Sequence, residues 1–250
     1  MVKGILKFKE YFLDYAGKYV FIGGTACDLI LGKKDVDFRV TKDLDIVLVM
    51  EALDEDFVNQ FVDFITAGGY KHIKKGSGEN QFYRFESPVD DSFPAMIEVF
   101  SKRPDYLVGF DQLFGPIHVS DDVISLSAIL LDNDYYDLLR QGMVSIDGVT
   151  VLDVEYLILF KMKAWLDLAA RKAAGEHVDS KNIKKHRNDV IRLVASMDPN
   201  TGLSVNEDIQ HDIEAYIAGT ADLFVDMKSL GLRGLEYASI IEKIRNCFGL

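Results

Sequence analysis

FRVTKDLDIVLV, residues 38 to 49, is the stretch from which the architecture of this chain can be predicted. Side chains two apart on a β-strand point to the same face, so Asp43 and Asp45 are expected to project together while Leu44 turns into the core. Residues 46 to 49 are apolar on both faces, as in a central strand that is covered on each side. The two acids would therefore stand at the edge of a rigid platform, an arrangement that suits a pair of metal ions.

Upstream of this strand, a short apolar segment is followed by two glycines. Residues 19 to 22 (YVFI) are typical of a strand that stops at Gly23 and Gly24, and Thr25 is expected to cap the helix that follows. Backbone N–H groups in such a bend can approach phosphate oxygens closely, and the helix dipole favours negative charge at that end. The segment predicts an anion cradle. The alternative is that the two glycines form only a tight turn.

The composition limits the class of protein. The chain has 250 residues, 48% of them hydrophobic, which is enough for a sizeable core in one large or two modest domains. Its longest apolar runs are of strand length and its first residues are charged, so we expect no membrane span or secretory signal and predict a cytoplasmic protein. Cys27 and Cys247 show neither disulfide nor metal-binding spacing, and reduced thiols are expected.

The net charge of −12 is unevenly distributed along the chain. Such an acidic balance argues against non-specific coating of nucleic acid. Residues 161 to 192, however, hold nine Lys and Arg residues against four acids, a local charge of +5 that leaves about −17 for the remainder. This basic segment is expected either to serve a phosphate-bearing ligand or to be the solvated face of a helix.

Apolar spacing predicts the order of the secondary-structure elements. Helices are predicted at residues 5–17, 56–67, 134–140, 153–174, 178–195, 206–217 and 230–247, and further strands at 44–50, 70–75, 81–87 and 96–101. A turn at 76–78, an irregular connection at 105–119 and a hairpin about Asp147 and Gly148 complete the pattern. The predicted fold class is α+β: a mixed β-sheet with covering helices in residues 1–120, followed by a mainly helical C-terminal domain in residues 121–250 that includes the hairpin.

The candidate catalytic residues centre on Asp43 and Asp45. An Asp-x-Asp pattern is a weak signal alone, but Arg39 and Thr41 share its strand face, and a later strand offers a third acid, Glu98. Two carboxylates and a third from a neighbouring strand can hold two Mg²⁺ ions about 4 Å apart, with substrate phosphates completing the coordination. These are the groups that phosphoryl or nucleotidyl transfer requires.

Each candidate also has a purely structural interpretation. Arg39 would then only neutralise the aspartates, and Glu98 would be a surface acid on an edge strand. Lys161 and Lys163 would flank a helix in solvent, and Asp189 would form a local ion pair. The residues alone leave these alternatives open.

Taken together, the segments resemble the AbiEii/AbiGii toxin branch of the DNA polymerase beta-type nucleotidyltransferases. The motifs that carry the resemblance are GGTA at 23–26, RVTKDLDI at 39–46, LILFKMKA at 157–164 and KKHRNDVIRL at 184–193. The resemblance touches residues 19–195 and is most specific at 23–46. It implies a nucleotidyltransferase-like fold and a Mg²⁺-dependent enzyme that transfers a nucleoside monophosphate from an NTP to an acceptor, with release of pyrophosphate.

The resemblance also assigns roles to residues and partners. Asp43 and Asp45 would hold the metals, and Glu98, as the third carboxylate, would help to activate the attacking hydroxyl. Lys161 and Asp189 would be motif residues of the second domain, with the lysine facing the phosphates. The nucleotide would be bound by Gly23, Gly24, Thr25, Arg39, Thr41 and Lys163. The acceptor would be an RNA end, a protein or a small molecule, and an antitoxin would be the partner of a toxin of this type. The alternatives are a non-catalytic nucleotide-binding or interaction protein and, last, a nuclease, for which the usual Glu-x-Lys strand is absent.

Overall fold

The computed structural model describes residues 2–34, 41, 43–49, 52–75, 82–102, 129–130 and 132–250. The chain divides into two compact units, Met1–Asp153 and Val154–Leu250. The first contains a mixed β-sheet with helices and the second is helical, which confirms the predicted α+β class. The predicted boundary after residue 120, the turn at 76–78 and the connection at 105–119 lie outside the described residues.

The first unit contains a seven-stranded mixed sheet. Its strands are β1 Tyr19–Phe21, β2 Asp43–Leu48, β3 His72–Lys75, β4 Phe82–Glu86, β5 Met96–Phe100, β6 Met143–Ile146 and β7 Val149–Leu152. They are ordered β3-β4-β5-β2-β1-β7-β6. Strand β2 runs parallel to β5 and antiparallel to β1, while β1 runs parallel to β7. The strand that carries the Asp-x-Asp pattern is therefore central, as its apolar residues predicted.

An aromatic cluster holds the helices of this unit against the sheet. These helices are α1 Ile5–Phe12, α2 Gly23–Gly32, α3 Glu55–Gly68 and α4 Asn133–Gln141. The Phe8 ring of α1 contacts the rings of Tyr19 and Phe21 in β1 and of Phe64 in α3, with centroids 5.0 to 5.5 Å apart. All four rings are fully buried, and burial of each stabilises the fold by roughly 1.5–3 kcal/mol. This packing fixes β1, and with it the glycine bend that follows.

The hairpin formed by β6 and β7 belongs to the sheet. Asp147 and Gly148 have positive φ angles of 50° and 81°, as expected of the two-residue turn predicted from the Asp-Gly pair. Strand β7 also pairs in parallel with β1, where Val151 is the register partner of Phe21. The assignment of the hairpin to the helical domain is therefore wrong. All four residues of β7 are buried, and a strand buried on both faces needs an inner position in a sheet.

The second unit consists of helices packed through their apolar stripes. They are α5 Val154–Ala173, α6 Ser180–Ser196, α7 Glu207–Thr220 and α8 Tyr237–Phe248. Helix α5 packs on α6 and α7, and α8 packs on α6. The last helix starts later than predicted, because residues 230–236 are not helical. Across the described ranges of both units, none of the helices has the length and apolar character needed to span a bilayer.

Candidate active site at the sheet edge

The glycine bend lies against Asp45 because β1 and β2 run in opposite directions. The N–H of Ile22, which follows β1, donates to the carbonyl oxygen of Asp45 at 3.0 Å. Gly23 comes next with a φ angle of +64° and is the first residue of α2. An ideal Cβ added to Gly23 would lie 1.7 Å from Asp45 Oδ2. Only glycine fits here, since both the backbone conformation and the close approach of the carboxylate exclude a side chain.

The first turn of α2 donates a hydrogen bond to this carboxylate. The N–H of Gly24 lies 3.2 Å from Asp45 Oδ2. Unsatisfied N–H groups and the helix dipole both favour negative charge at a helix N-terminus. In this structure the predicted anion cradle thus binds a carboxylate of the chain itself. The assignment of Gly23 and Gly24 to phosphate binding stays a prediction.

Thr25 does not cap α2. The helix begins two residues earlier, at Gly23, because the positive φ angle of that glycine turns the chain directly into the helix. Ile22 occupies the capping position. Thr25 is completely buried, and its hydroxyl donates to the carbonyl oxygen of Asp43 at 2.5 Å. The predicted cap is wrong, and the hydroxyl instead ties α2 to the first residue of β2.

Glu98 lies beside Asp45 on the neighbouring strand. Strands β2 and β5 are parallel, and their register pairs Asp45 with Glu98, so both side chains project from the same face. Glu98 is only 8% exposed, and β5 lies between β2 and β4. These observations exclude the interpretation of Glu98 as a surface acid on an edge strand. Burial, together with the negative charge of Asp45, raises the pKa of Glu98 to about 8.

Arg84 completes this cluster, and the sequence analysis missed it. Arg84 is the register partner of Glu98 in the antiparallel pair of β4 and β5. Its Nε donates to Glu98 Oε1 at 2.7 Å, and its Nη2 contacts the same oxygen. The guanidinium lowers the pKa of Glu98, but burial and Asp45 outweigh it. The available signal was a charged residue between two core aromatics, Tyr83 and Phe85, on a predicted strand.

Asp43 lies on the same face of β2 as Asp45, two residues earlier in the strand. Both aspartates are half-buried, whereas Leu44 between them is fully buried, which confirms the predicted alternation. In the parallel register Asp43 pairs with Met96 rather than with an acid. In the part of the chain that the structure describes, no three His, Cys, Asp or Glu side chains are grouped closely enough to hold a metal ion. The acids brought together are Asp45 and Glu98.

The other predicted nucleotide ligands have different surroundings. Thr41 is half-buried just before β2, and Arg39 lies outside the described residues. Lys163, on α5, forms an ion pair with Asp212 of α7, with Nζ 2.6 Å from Oδ2. Their roles in nucleotide binding stay predictions.

In the helical unit, Lys161 and Asp189 form a buried ion pair between α5 and α6. Lys161 Nζ lies 3.2 Å from Asp189 Oδ2, and the two side chains are 6% and 1% exposed. This burial excludes the interpretation of Lys161 as a solvated flank of its helix. The pair also contradicts the view of Asp189 as a merely local contact, because its partner comes from another helix. The motif roles that the resemblance assigned to the two residues stay predictions.

Comparison with known proteins finds likeness at the level of solved structures. No protein-family model and no curated protein matches the chain. An antigenic nucleotidyltransferase-like protein from Paracoccidioides brasiliensis is 16% identical with a TM-score of 0.44, over 96% of this chain and 94% of that one. JHP933 from Helicobacter pylori is 15% identical with a TM-score of 0.40, over 97% and 90%. The function of this chain therefore has to be inferred from its own site residues.

Proposed function

We propose that this chain transfers a nucleoside monophosphate from an NTP to an acceptor hydroxyl in a reaction that depends on a divalent cation. The observation that carries the proposal is the position of Asp45, which touches the glycine bend at the start of α2 and lies in register with Glu98. A helix N-terminus suits phosphate, and adjacent carboxylates suit a cation. An NTP bound to a metal ion presents a negatively charged phosphate and a positively charged cation together.

The donor set fits a divalent cation in its chemistry. Mg²⁺ is usually bound by one or two carboxylates together with substrate phosphates and water, rather than by a complete protein cage. Asp45 and Glu98 supply such a pair, and Asp43 supplies a further carboxylate on the same face of β2. The raised pKa of Glu98 means that the pair favours a positive partner, whether proton or metal. We therefore propose that Asp45 and Glu98 would hold a divalent cation, whereas the role of Asp43 as a ligand in a site for two Mg²⁺ ions stays a proposal that rests on the resemblance.

The residues of the site supply the other requirements of the reaction. The acceptor oxygen bonds to the α-phosphorus while the bond from that phosphorus to the bridging oxygen of pyrophosphate breaks. Glu98 would accept the hydroxyl proton in its ionised form, and Arg84 holds its carboxylate through Oε1. Because the Asp45 carboxylate fills the space beside Gly23 and accepts from Gly24, a phosphate oxygen would bind at this bend only in place of that carboxylate. Bound Mg²⁺ would lower the pKa of the acceptor hydroxyl and stabilise the leaving pyrophosphate.

The two lysines of α5 are proposed to differ in role. Lys161 is almost fully buried in its pair with Asp189, so it is proposed to support the packing of α5 on α6. The Lys163 side chain is 29% exposed and is the better candidate for contact with a phosphate. Its ion pair with Asp212 would then have to exchange partners when nucleotide binds.

The resemblance at residues 23–46 leads us to propose, as a further step, that the protein is the toxin of a toxin–antitoxin or abortive-infection system and acts in the cytoplasm. RNA ends, protein hydroxyls and small molecules are the proposed acceptors. Inducible expression in a bacterial host should then arrest growth, and Asp45→Asn should abolish the arrest. Growth arrest that persists in that variant would separate toxicity from the proposed transfer.

Labelled nucleotides provide the direct test. The full-length protein is incubated with each of the four α-labelled NTPs, with Mg²⁺ or a chelator, and with total RNA or cell lysate. We expect Mg²⁺-dependent transfer of label to one class of macromolecule, with stoichiometric release of pyrophosphate. Binding of NTP by calorimetry with no label transfer and no pyrophosphate would instead favour the non-catalytic nucleotide-binding alternative.

A further inference from the structure

Helix α6 carries the basic segment that the proposed reaction leaves unexplained. Its 17 residues include five Lys and Arg residues and a single acid, Asp189. Lys181 and Lys184 are exposed, as expected of a solvated helix face. Arg187 differs from them, because it is only 8% exposed. A buried arginine needs a compensating negative group, since its guanidinium does not deprotonate in proteins and burial of an unpaired charge is costly.

The described residues provide no such group. Asp189, the acid of the same helix, lies beside Lys161. The side-chain contact of Arg187 is with the neutral Asn188, whose Oδ1 lies 3.5 Å from Nη2. Within the described ranges no carboxylate lies within 4 Å of the guanidinium, and the buried Nε has no hydrogen-bond acceptor. Among the residues that the structure describes, no acidic group therefore balances the charge of Arg187.

Two tyrosines lie within the electrostatic range of Arg187, one from α7 and one at the start of α8. Burial raises the pKa of both Tyr216 and Tyr237, although the positive charge of Arg187 lowers each, so both phenols are neutral and can donate. The Tyr237 hydroxyl donates to Thr220 Oγ1 at 2.7 Å. The Tyr216 hydroxyl is buried close to that of Tyr237, but in the described part of the chain no group accepts from it with normal geometry. In the described part of the chain, the Arg187 Nε–H and the Tyr216 hydroxyl are thus both buried without a hydrogen-bond partner of normal geometry.

We propose that Arg187 and the Tyr216 hydroxyl form a binding site for a phosphate-type oxyanion in the helical unit. An arginine fork and a phenol hydroxyl are well suited to phosphate oxygens, and such charge-assisted hydrogen bonds are stronger than neutral ones. The exposed lysines of the same helix would raise the local concentration of anions. The phosphate would be either free inorganic phosphate or the terminal phosphate of a nucleic acid. This site is independent of the proposed nucleotidyl transfer.

The first test uses the unmodified full-length protein. The Nε–H of Arg187 is buried, so its resonance should be protected from exchange and visible in an arginine-selective ¹H–¹⁵N spectrum; the signal is assigned as the one that Arg187→Lys removes. We expect this resonance to shift in a saturable way with inorganic phosphate at constant ionic strength, and not with chloride. If the resonance does not shift with phosphate, or shifts equally with chloride, the proposed site is wrong.

Matched variants provide the second test. Arg192→Gln removes the same charge from the same helix at a half-buried position, so it controls for general electrostatics. We expect phosphate affinity, measured by calorimetry, to fall about tenfold or more in Arg187→Gln and several-fold in Tyr216→Phe, but to stay close to wild type in Arg192→Gln. Equal losses in Arg187→Gln and Arg192→Gln would contradict a specific site. Should Arg187→Gln fail to fold, the phosphate affinities of Tyr216→Phe and Arg192→Gln are compared instead, and equal affinities would contradict the site.

A titration with RNA distinguishes the two possible sources of the phosphate. The assigned Arg187 resonance is titrated with one short RNA carrying either a 5′-phosphate or a 5′-hydroxyl. A larger response to the phosphorylated RNA than to inorganic phosphate identifies a nucleic-acid end as the ligand. A response to inorganic phosphate alone identifies the free anion, and no response to any of the three refutes the site.

Discussion

Two buried groups of charged side chains, one in each unit of the chain, differ in their charge balance. In the sheet, Asp45 and Glu98 lie in register on adjacent strands, and the Arg84 guanidinium binds Oε1 of Glu98. In the helical unit, Lys161 faces Asp189 as a pair of opposite charges. With both acids ionised, the first group carries two negative charges against one positive charge, an imbalance that together with burial raises the pKa of Glu98 to about 8, whereas the second group holds one charge of each sign. Excess charge at a buried site indicates a missing ligand, whereas a matched pair indicates a structural contact.

The largest effect is expected from breaking the matched pair. Lys161→Met should lower the free energy of unfolding by about 3–5 kcal/mol, because it removes one partner of a buried ion pair. The double variant Lys161→Met/Asp189→Leu should recover most of that loss. Urea denaturation followed by circular dichroism measures both. Lys184→Met removes an exposed lysine and is expected to change stability by less than about 0.5 kcal/mol. A Lys161 variant as stable as this control would mean that the pair is not structural.

Removing charge from the sheet site should affect activity rather than stability. Asp45→Asn keeps the shape of the side chain and an oxygen that can accept from Gly24, so the fold should persist. We expect transfer of label from the NTP to fall by about 100-fold or more, as for loss of an essential electrostatic group. Asp63→Asn, an exposed acid on α3, is the matched control. If Asp45→Asn retains most of the activity, the proposed mechanism fails.

The contact between the glycine bend and Asp45 can be tested by adding one methyl group. Gly23→Ala places a Cβ 1.7 Å from Asp45 Oδ2 at a φ angle of +64°, whereas Gly249→Ala has a φ angle of +68° with nothing within 4 Å. Both variants carry the cost of a left-handed backbone, and only the first displaces the carboxylate. We expect Gly23→Ala to be roughly 2 kcal/mol less stable than Gly249→Ala in thermal or urea unfolding. Equal stabilities would show that the carboxylate moves aside freely.

The smallest expected effect is a pH dependence of stability that originates at Glu98. Because the pKa of Glu98 is about 8 in the folded protein and near 4.5 for the ordinary side chain, the folded state binds its proton more tightly. Without metal, stability should therefore fall as pH rises from about 4.5 to about 8, by on the order of 1 kcal/mol once the shift is shared with Asp45. Glu98→Gln, which imitates the protonated form, should flatten this slope in chelator. An unchanged slope would place the titration elsewhere.

The local elements of the chain were predictable because their signals lie within short windows. Alternating burial around Leu44 and the Asp147-Gly148 turn both follow from residue spacing and are confirmed. The errors concern groups whose partners are distant in the chain. Thr25 bonds to Asp43, and Arg84 was missed because its partner Glu98 is opposite it only after β4 and β5 pair.

The sequence by itself determined that Asp43 and Asp45 share one face of a buried strand, because side chains alternate along any β-strand. It also determined that a glycine bend opens a helix after β1, since only glycine accepts the required backbone conformation. Which acid joins Asp45, and that the bend touches its carboxylate, were decided by the tertiary structure. Strand order and register depend on contacts between distant segments, and no local pattern specifies them.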